Sequence, residues 1–324
     1  MAAPKVYVTR RIPEQGIKML EQHCEVEVNS EDRLLTRKEL LENVKGRDGL
    51  LCLLADKIDG EVMDAAGELK GIANYAVGVD NISVSDATER GIPVSNTPDV
   101  LTDATAEMAW ALLFAVSRRV VESDAYLRSG NWNGWGPLQF LGGDVTGTTL
   151  GVVGAGRIGT AMALKSRGFD MRVLYTNPRR NERLERECGA ERVELDRLLA
   201  DSDFVSLHTP LRENTHHLIT YNELTKMKPT AYLINTARGP VIKEADLLRV
   251  LQEERIAGAA LDVYEFEPQI TAGLEKLKNV VVTPHTGSAT VGARTGMAKM
   301  AARNLLAMLQ GRPAPNCVNP EVQK

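Results

Sequence analysis

Short apolar runs alternate with amphipathic stretches through the first hundred residues. The segments "KVYVT" (5–9), "EVEV" (25–28), "GLLCLL" (49–54) and "KGIANYA" (70–76) have the length and composition of strands. Between and after them, "EQGIKMLEQH", "TRKELLENV", "GEVMDAAG" and "SVSDATERG" place apolar residues at helical spacing, the second opened by Thr36 and the last closed by Gly91. This alternation predicts a parallel sheet covered on both faces. Residues 102–119 then hold helical spacing for about five turns, with Thr102 or Asp103 as a cap. The stretch 130–147, rich in Gly and Trp, reads as a loop. From Thr148 a second series begins, with strands expected near 149–153, 171–175, 203–207, 231–235, 257–261 and 280–283. The Ala- and Met-rich segment 289–310 reads as a helix that packs back on the first domain. The pattern is that of an α/β chain with two domains.

Bulk properties narrow the function classes. A chain of 324 residues suits two domains, and 43% apolar with 25% charged residues is ordinary for a globular protein. A net charge of -4 favours neither nucleic acid nor an anionic membrane as partner. Cys24, Cys52, Cys188 and Cys317 are scattered, which argues against a metal site or a disulfide framework and for a reducing compartment. The N-terminus lacks the apolar core of a signal peptide and no run approaches a membrane span, so a cytoplasmic protein is expected.

The candidate chemistry lies in the second series. "LGVVGAGRIGT" contains Gly154-x-Gly156-x-x-Gly159 after an apolar strand and before a helix, the context in which glycines admit a pyrophosphate to a helix N-terminus. The next strand, "RVLYTNPRR", ends without the acidic residue that binds the ribose hydroxyls of NAD; Asn177, Pro178, Arg179 and Arg180 stand there instead. Three later stretches put Arg238, Glu267 and His285 just beyond strand C-termini, where open α/β sheets bind ligands.

The runs "NTARG", "DVYEFEP" and "TPHTG", in this order after a central glycine turn, resemble the D-isomer-specific 2-hydroxyacid dehydrogenases. "NTPDVLTDATAEMAWALL" and the Trp-rich loop resemble the glyoxylate/hydroxypyruvate reductase branch of that family. The resemblance implies two doubly wound parallel-sheet domains: a Rossmann NAD(P)-binding domain (99–288) inserted into a flavodoxin-like substrate domain (1–98 and 289–324). It implies reduction of glyoxylate or hydroxypyruvate, with His285 as acid/base, Glu267 as its partner and Arg238 holding the substrate. The residue types suit that chemistry: an imidazole titrating near neutrality donates a proton, a carboxylate favours the imidazolium, and a guanidinium fork binds a 2-oxo acid. The implied cofactor contacts are Thr105, Gly154, Ala155, Gly156, Arg157, Ile158, Gly159, Asn177, Pro178, Arg179, His208, Thr209, Pro210, Thr236, Ala237, Asp262 and Gly287. Leu54 is expected to wall the substrate pocket, and the backbone of Val77 and Gly78 to meet the substrate carboxylate. Without a carboxylate at 177, and with arginines to meet a 2′-phosphate, NADP(H) is expected to be preferred and NAD(H) possible. A homodimer is expected, formed through the long helix after Thr102 and the loop beyond it. The alternatives are a relative acting on a bulkier 2-oxo acid or phosphoglycerate, and a dehydrogenase-like nucleotide-sensing corepressor.

Overall fold

The computed structural model describes residues 2–323. In chain order the first part contains β1 (Lys5–Val8), α1 (Glu14–Glu21), β2 (Glu25–Val28), α2 (Arg37–Asn43), β3 (Gly49–Leu53), α3 (Gly60–Ala66), β4 (Gly71–Tyr75), α4 (Val84–Glu89) and β5 (Val94–Ser95). Next come α5 (Thr102–Ser117), α6 (Val120–Arg128), β6 (Thr149–Val153), α7 (Arg157–Lys165), β7 (Arg172–Thr176), α8 (Glu182–Cys188), β8 (Glu191–Arg192), α9 (Leu195–Asp201) and β9 (Phe204–Leu207). The chain continues through α10 (Tyr221–Leu224), β10 (Tyr232–Asn235), α11 (Glu244–Gln252), β11 (Gly258–Leu261), β12 (Val280–Val282) and α12 (Val291–Leu309). Two units result: one from the chain up to Leu101 together with the segment from Ala289 onward, the other Thr102–Ser288.

The first unit has a parallel five-stranded sheet, order β2-β1-β3-β4-β5. Leu50, Ile72, Val62 and Met63 are buried against one another on one face. On the sheet, α12 packs beside α1. A Cβ at Gly16 would sit 2.7 Å from the Ala298 carbonyl oxygen, so the missing side chain lets the two helix backbones touch.

The second unit has a parallel seven-stranded sheet, order β12-β11-β10-β9-β6-β7-β8. Its direction of winding reverses between β6 and β9, which opens a crevice at their C-terminal ends. Helix α5 is apolar on nearly every face and buries Ala106, Ala109, Trp110 and Leu113; the Trp110 indole donates to Met162 O of α7 at 3.0 Å. The helical pattern expected to run on to 119 stops at Ser117, whose carbonyl accepts from Gly143 N at 2.9 Å, and Arg119 turns left-handed (φ 51°). A separate helix, α6, follows and buries no residue. The two-residue strands β5 and β8 carry too little pattern to be read from sequence. No helix among the described residues is long and apolar enough to cross a membrane.

Candidate active site

The glycine turn joins β6 to α7 at the crevice. Gly154 has φ +95°, and a Cβ there would lie 2.8 Å from the His208 backbone; a Cβ at Gly159 would lie 2.0 Å from Gly154 O. The protein's own packing therefore requires these two glycines. Gly156 is different, because nothing stands within 4 Å of where its Cβ would be. It is the N-cap of α7 and makes no side-chain cap bond, so the first N–H groups of the helix face an open space suited to an anion. Asn181 secures this turn: its Nδ2 donates to Ala155 O (2.9 Å) and Thr160 Oγ1 (2.8 Å), while its Oδ1 caps α8 by accepting from Leu184 N (3.0 Å). Asn181 was not among the residues expected to act at the site; the signal it offered was that of a helix cap.

Next to the turn, at the ends of the paired strands β9 and β10, three polar atoms are sealed from solvent without a partner among the described residues: His208 Nδ1, Thr209 Oγ1 and Thr236 Oγ1. The other nitrogen of His208 meets Ser206 Oγ at 2.9 Å. The residue is only half-buried, yet its ring is desolvated enough to push its pKa down to about 4. Orphaned donors and acceptors beside an open glycine cradle fit a nicotinamide dinucleotide.

Beyond β7, Asn177 Nδ2 donates to Arg179 O (2.8 Å), and Arg192 holds the carbonyls of Asn177 and Pro178, both at 3.1 Å. Arg180 is engaged in an ion pair with Glu185 at 2.6 Å. Arg179 is exposed, and its guanidinium has no ion-pair partner among the described residues. Of the two arginines, Arg180 is the one that is ion-paired.

Arg238, Glu267 and His285 come together beyond β10, β11 and β12. Glu267 Oε2 lies 2.9 Å from His285 Nδ1, and Glu267 Oε1 accepts from Tyr264 N at 3.0 Å. Burial alone would raise the Glu267 carboxyl. The hydrogen bond and charge of His285, the Tyr264 N–H and the Arg238 charge outweigh it and hold the group below its ordinary value. Arg238 is oriented by a bond from Nη1 to Ala237 O (2.8 Å), and its own carbonyl accepts from Asn235 Nδ2 (3.0 Å). Gly239 explains how the Arg238 turn reaches the Glu267 loop. A Cβ there would fall 1.8 Å from the Tyr264 carbonyl, so only glycine lets the two backbones meet.

His285 is left-handed, with φ 51°. Its N–H donates to Asp262 O (2.9 Å) and Thr283 O (3.0 Å). Asp262 is buried, and its side chain serves the same loop: Oδ1 accepts from Thr283 Oγ1 (2.6 Å) and Thr286 N (2.7 Å), Oδ2 from Gly287 N (2.7 Å). Thr105, at the start of α5, borders Gly287. The Tyr264 hydroxyl donates to Thr283 O at 2.7 Å, and burial followed by the Asp262 charge pushes it up to about 12. The Glu267 loop has a second brace that sequence reasoning missed. Glu244 Oε1 accepts from Glu265 N (2.6 Å), Glu265 Oε2 accepts from Glu244 N (2.9 Å), and His217 Nε2 meets Glu265 Oε1 (2.6 Å). Leu54, Val77 and Gly78 belong to the first unit, each half-buried in a loop after β3 or β4.

Residues 110–287 match the family model described as the D-isomer specific 2-hydroxyacid dehydrogenase, NAD binding domain. The chain is similar to a glyoxylate reductase of Thermococcus onnurineus, 52% identical over 323 residues that cover 98% of this chain and 97% of that one. A crystal structure of a Thermus thermophilus protein superposes with a TM-score of 0.90 at 45% identity, covering 97% of this chain and 99% of that one. An NADPH-dependent glyoxylate/hydroxypyruvate reductase of Sinorhizobium meliloti, solved in complex with NADP and malonate, superposes with a TM-score of 0.87 at 31% identity, covering 98% of both chains.

Proposed function

Because this chain belongs to the D-isomer-specific 2-hydroxyacid dehydrogenase family and is an NAD(P)-dependent oxidoreductase, we propose that it reduces glyoxylate to glycolate and hydroxypyruvate to D-glycerate, with NADPH preferred over NADH. The observation that carries the reaction is the contact between His285 and Glu267 on the loop that Gly239 brings against the Arg238 turn. A bound nicotinamide supplies the hydride. Glu267 occupies Nδ1 of His285, which leaves Nε2 as the nitrogen that gives its proton to the substrate oxygen. Arg238 holds the 2-oxo acid by its carboxylate and draws charge from the carbonyl. Asp262 keeps the His285 loop in place, and the first unit's loop at Val77 and Gly78 binds the substrate carboxylate.

The proposed cofactor preference rests on the end of β7. Asn177 brings no charge to repel a 2′-phosphate, and Arg179 is available to bind it while Arg180 is occupied by Glu185. We further propose a homodimer. Helix α6 and the loop after it expose Val120, Val121, Leu127, Trp132 and Trp135, each more than half accessible. All four cysteines are free, in keeping with the cytoplasmic setting we propose.

A panel of 2-oxo acids with NADPH and NADH, read by cofactor absorbance, tests this reading. Glyoxylate and hydroxypyruvate should be turned over with higher kcat/KM for NADPH. Asn177→Asp should move the NADPH/NADH ratio toward NADH by about tenfold, because the new carboxylate would repel the 2′-phosphate and accept from the ribose hydroxyls. An unchanged ratio would refute the account of cofactor choice, and failure to reduce either acid would refute the substrate assignment.

A further inference from the structure

Three consecutive carbonyls after β4 are each held at 2.8 Å by a different donor. Ala76 O accepts from Thr97 N, Val77 O from Asn96 Nδ2, and Gly78 O from Asn74 Nδ2. These peptides are trans, so each C=O and the N–H that follows it point in opposite directions within one plane. Holding the three carbonyls therefore turns the N–H groups of Val77, Gly78 and Val79 away from the groups that grip them. Among the described residues none of these three N–H groups meets an acceptor, and all three residues are partly exposed. A run of successive N–H groups left without an acceptor at a partly exposed loop is suited to receive an anion.

The two asparagines are themselves fixed. Asn74 is fully buried in β4, and its second amide hydrogen goes to Asn81 Oδ1 at 2.9 Å. Asn81 in turn donates to Leu53 O (3.0 Å) and Asp56 O (3.1 Å), which ties the Val77–Gly78 loop to the turn that carries Leu54. The backbone of Asn96 is clamped by Asn304 Nδ2, which donates to its carbonyl at 3.0 Å, and by Asn316 O, which accepts its N–H at 3.2 Å. The Asn74 amide and the Asn96 backbone are thus anchored outside the loop, so the pair biases where the loop's donors point.

We propose that Asn96 and Asn74 are positioning residues that aim a cradle of three N–H groups, the third from Val79, at the carboxylate of the 2-oxo acid, with Asn96 setting the direction of the Gly78 N–H. The proposal rests on the reading that the Val77–Gly78 loop binds that carboxylate. Asn96→Asp keeps the shape of the side chain but faces the Val77 carbonyl with an oxygen instead of a donor; Asn96→Ser is too short to reach it.

In the full-length enzyme saturated with NADPH, both variants should raise KM for glyoxylate and the inhibition constant of oxamate by about tenfold, while kcat changes less than about threefold. The preference for glyoxylate over glycolaldehyde, an aldehyde of similar size without the carboxylate, should fall by the same factor. Asn96→Ser carries the test should Asn96→Asp fail to fold. Folded variants that keep the wild-type preference and oxamate affinity would overturn the role of Asn96 and leave the carboxylate reading standing. A wild-type enzyme that does not distinguish glyoxylate from glycolaldehyde would overturn both.

Discussion

At the scale of single residues, burial and neighbouring charge shift the ionisation of His208, Glu267 and Tyr264 at the site. His208 is the clearest case. Burial lowers its pKa from 6.5 to about 4, so the folded protein keeps the ring neutral where an unfolded chain would protonate it. Because the folded value is depressed, the stability it confers is fully present above about pH 6.5 and is lost as pH falls toward 4. The full difference is worth up to about 3 kcal/mol. Urea unfolding without cofactor at pH 7.5, 6 and 5 should show stability declining through that window, and His208→Gln should flatten the slope; an equal slope in the variant would rule this histidine out as the source. Glu267 is held low by His285, and its share is lost only at pH values below the ordinary carboxylate range. The candidates Arg238, Glu267 and His285 were legible in the sequence because each sits in a short motif behind a strand. Their supports were not. Asn181, Glu244 and Glu265, and Asn96 with Val77, act through partners about 20 residues away in sequence, and no local pattern announces such pairs.

At the scale of elements, the β6–α7 turn separates what the fold needs from what a ligand needs. Gly159→Ala would drive a methyl into Gly154 O; the overpacking should lower Tm by more than about 6 °C. Gly156→Ala meets nothing and loses only a good N-cap, so Tm should fall by less than about 4 °C. Yet its methyl would enter the space open to a pyrophosphate, and NADPH affinity, read by fluorescence titration, should weaken by about tenfold or more. Equal Tm losses in the two variants would contradict this division. Strands of four or five apolar residues, such as β3 and β6, were legible because burial on both faces leaves a continuous run. The break between α5 and α6 was not, because an arginine, not a glycine, takes the left-handed position at 119.

At the scale of the whole molecule, the surface of the second unit predicts its assembly. A helix without a buried residue is marginal by itself, and the exposed apolar side chains of α6 and the loop after it are where the proposed homodimer would close. Leu127→Glu combined with Val121→Glu should convert a homodimer to a monomer in sedimentation experiments at micromolar concentration, with the fold retained. Dimers that persist unchanged would move the interface elsewhere. The tail helix α12 has a consequence of a different kind. It covers the sheet of the first unit and lies directly on α1 through Gly16, but it is synthesised after every residue of the second unit. On the ribosome, therefore, the polypeptide made earliest is completed latest: the opening hundred residues wait with part of one sheet face bare while the nucleotide-binding unit is translated and can fold ahead of them.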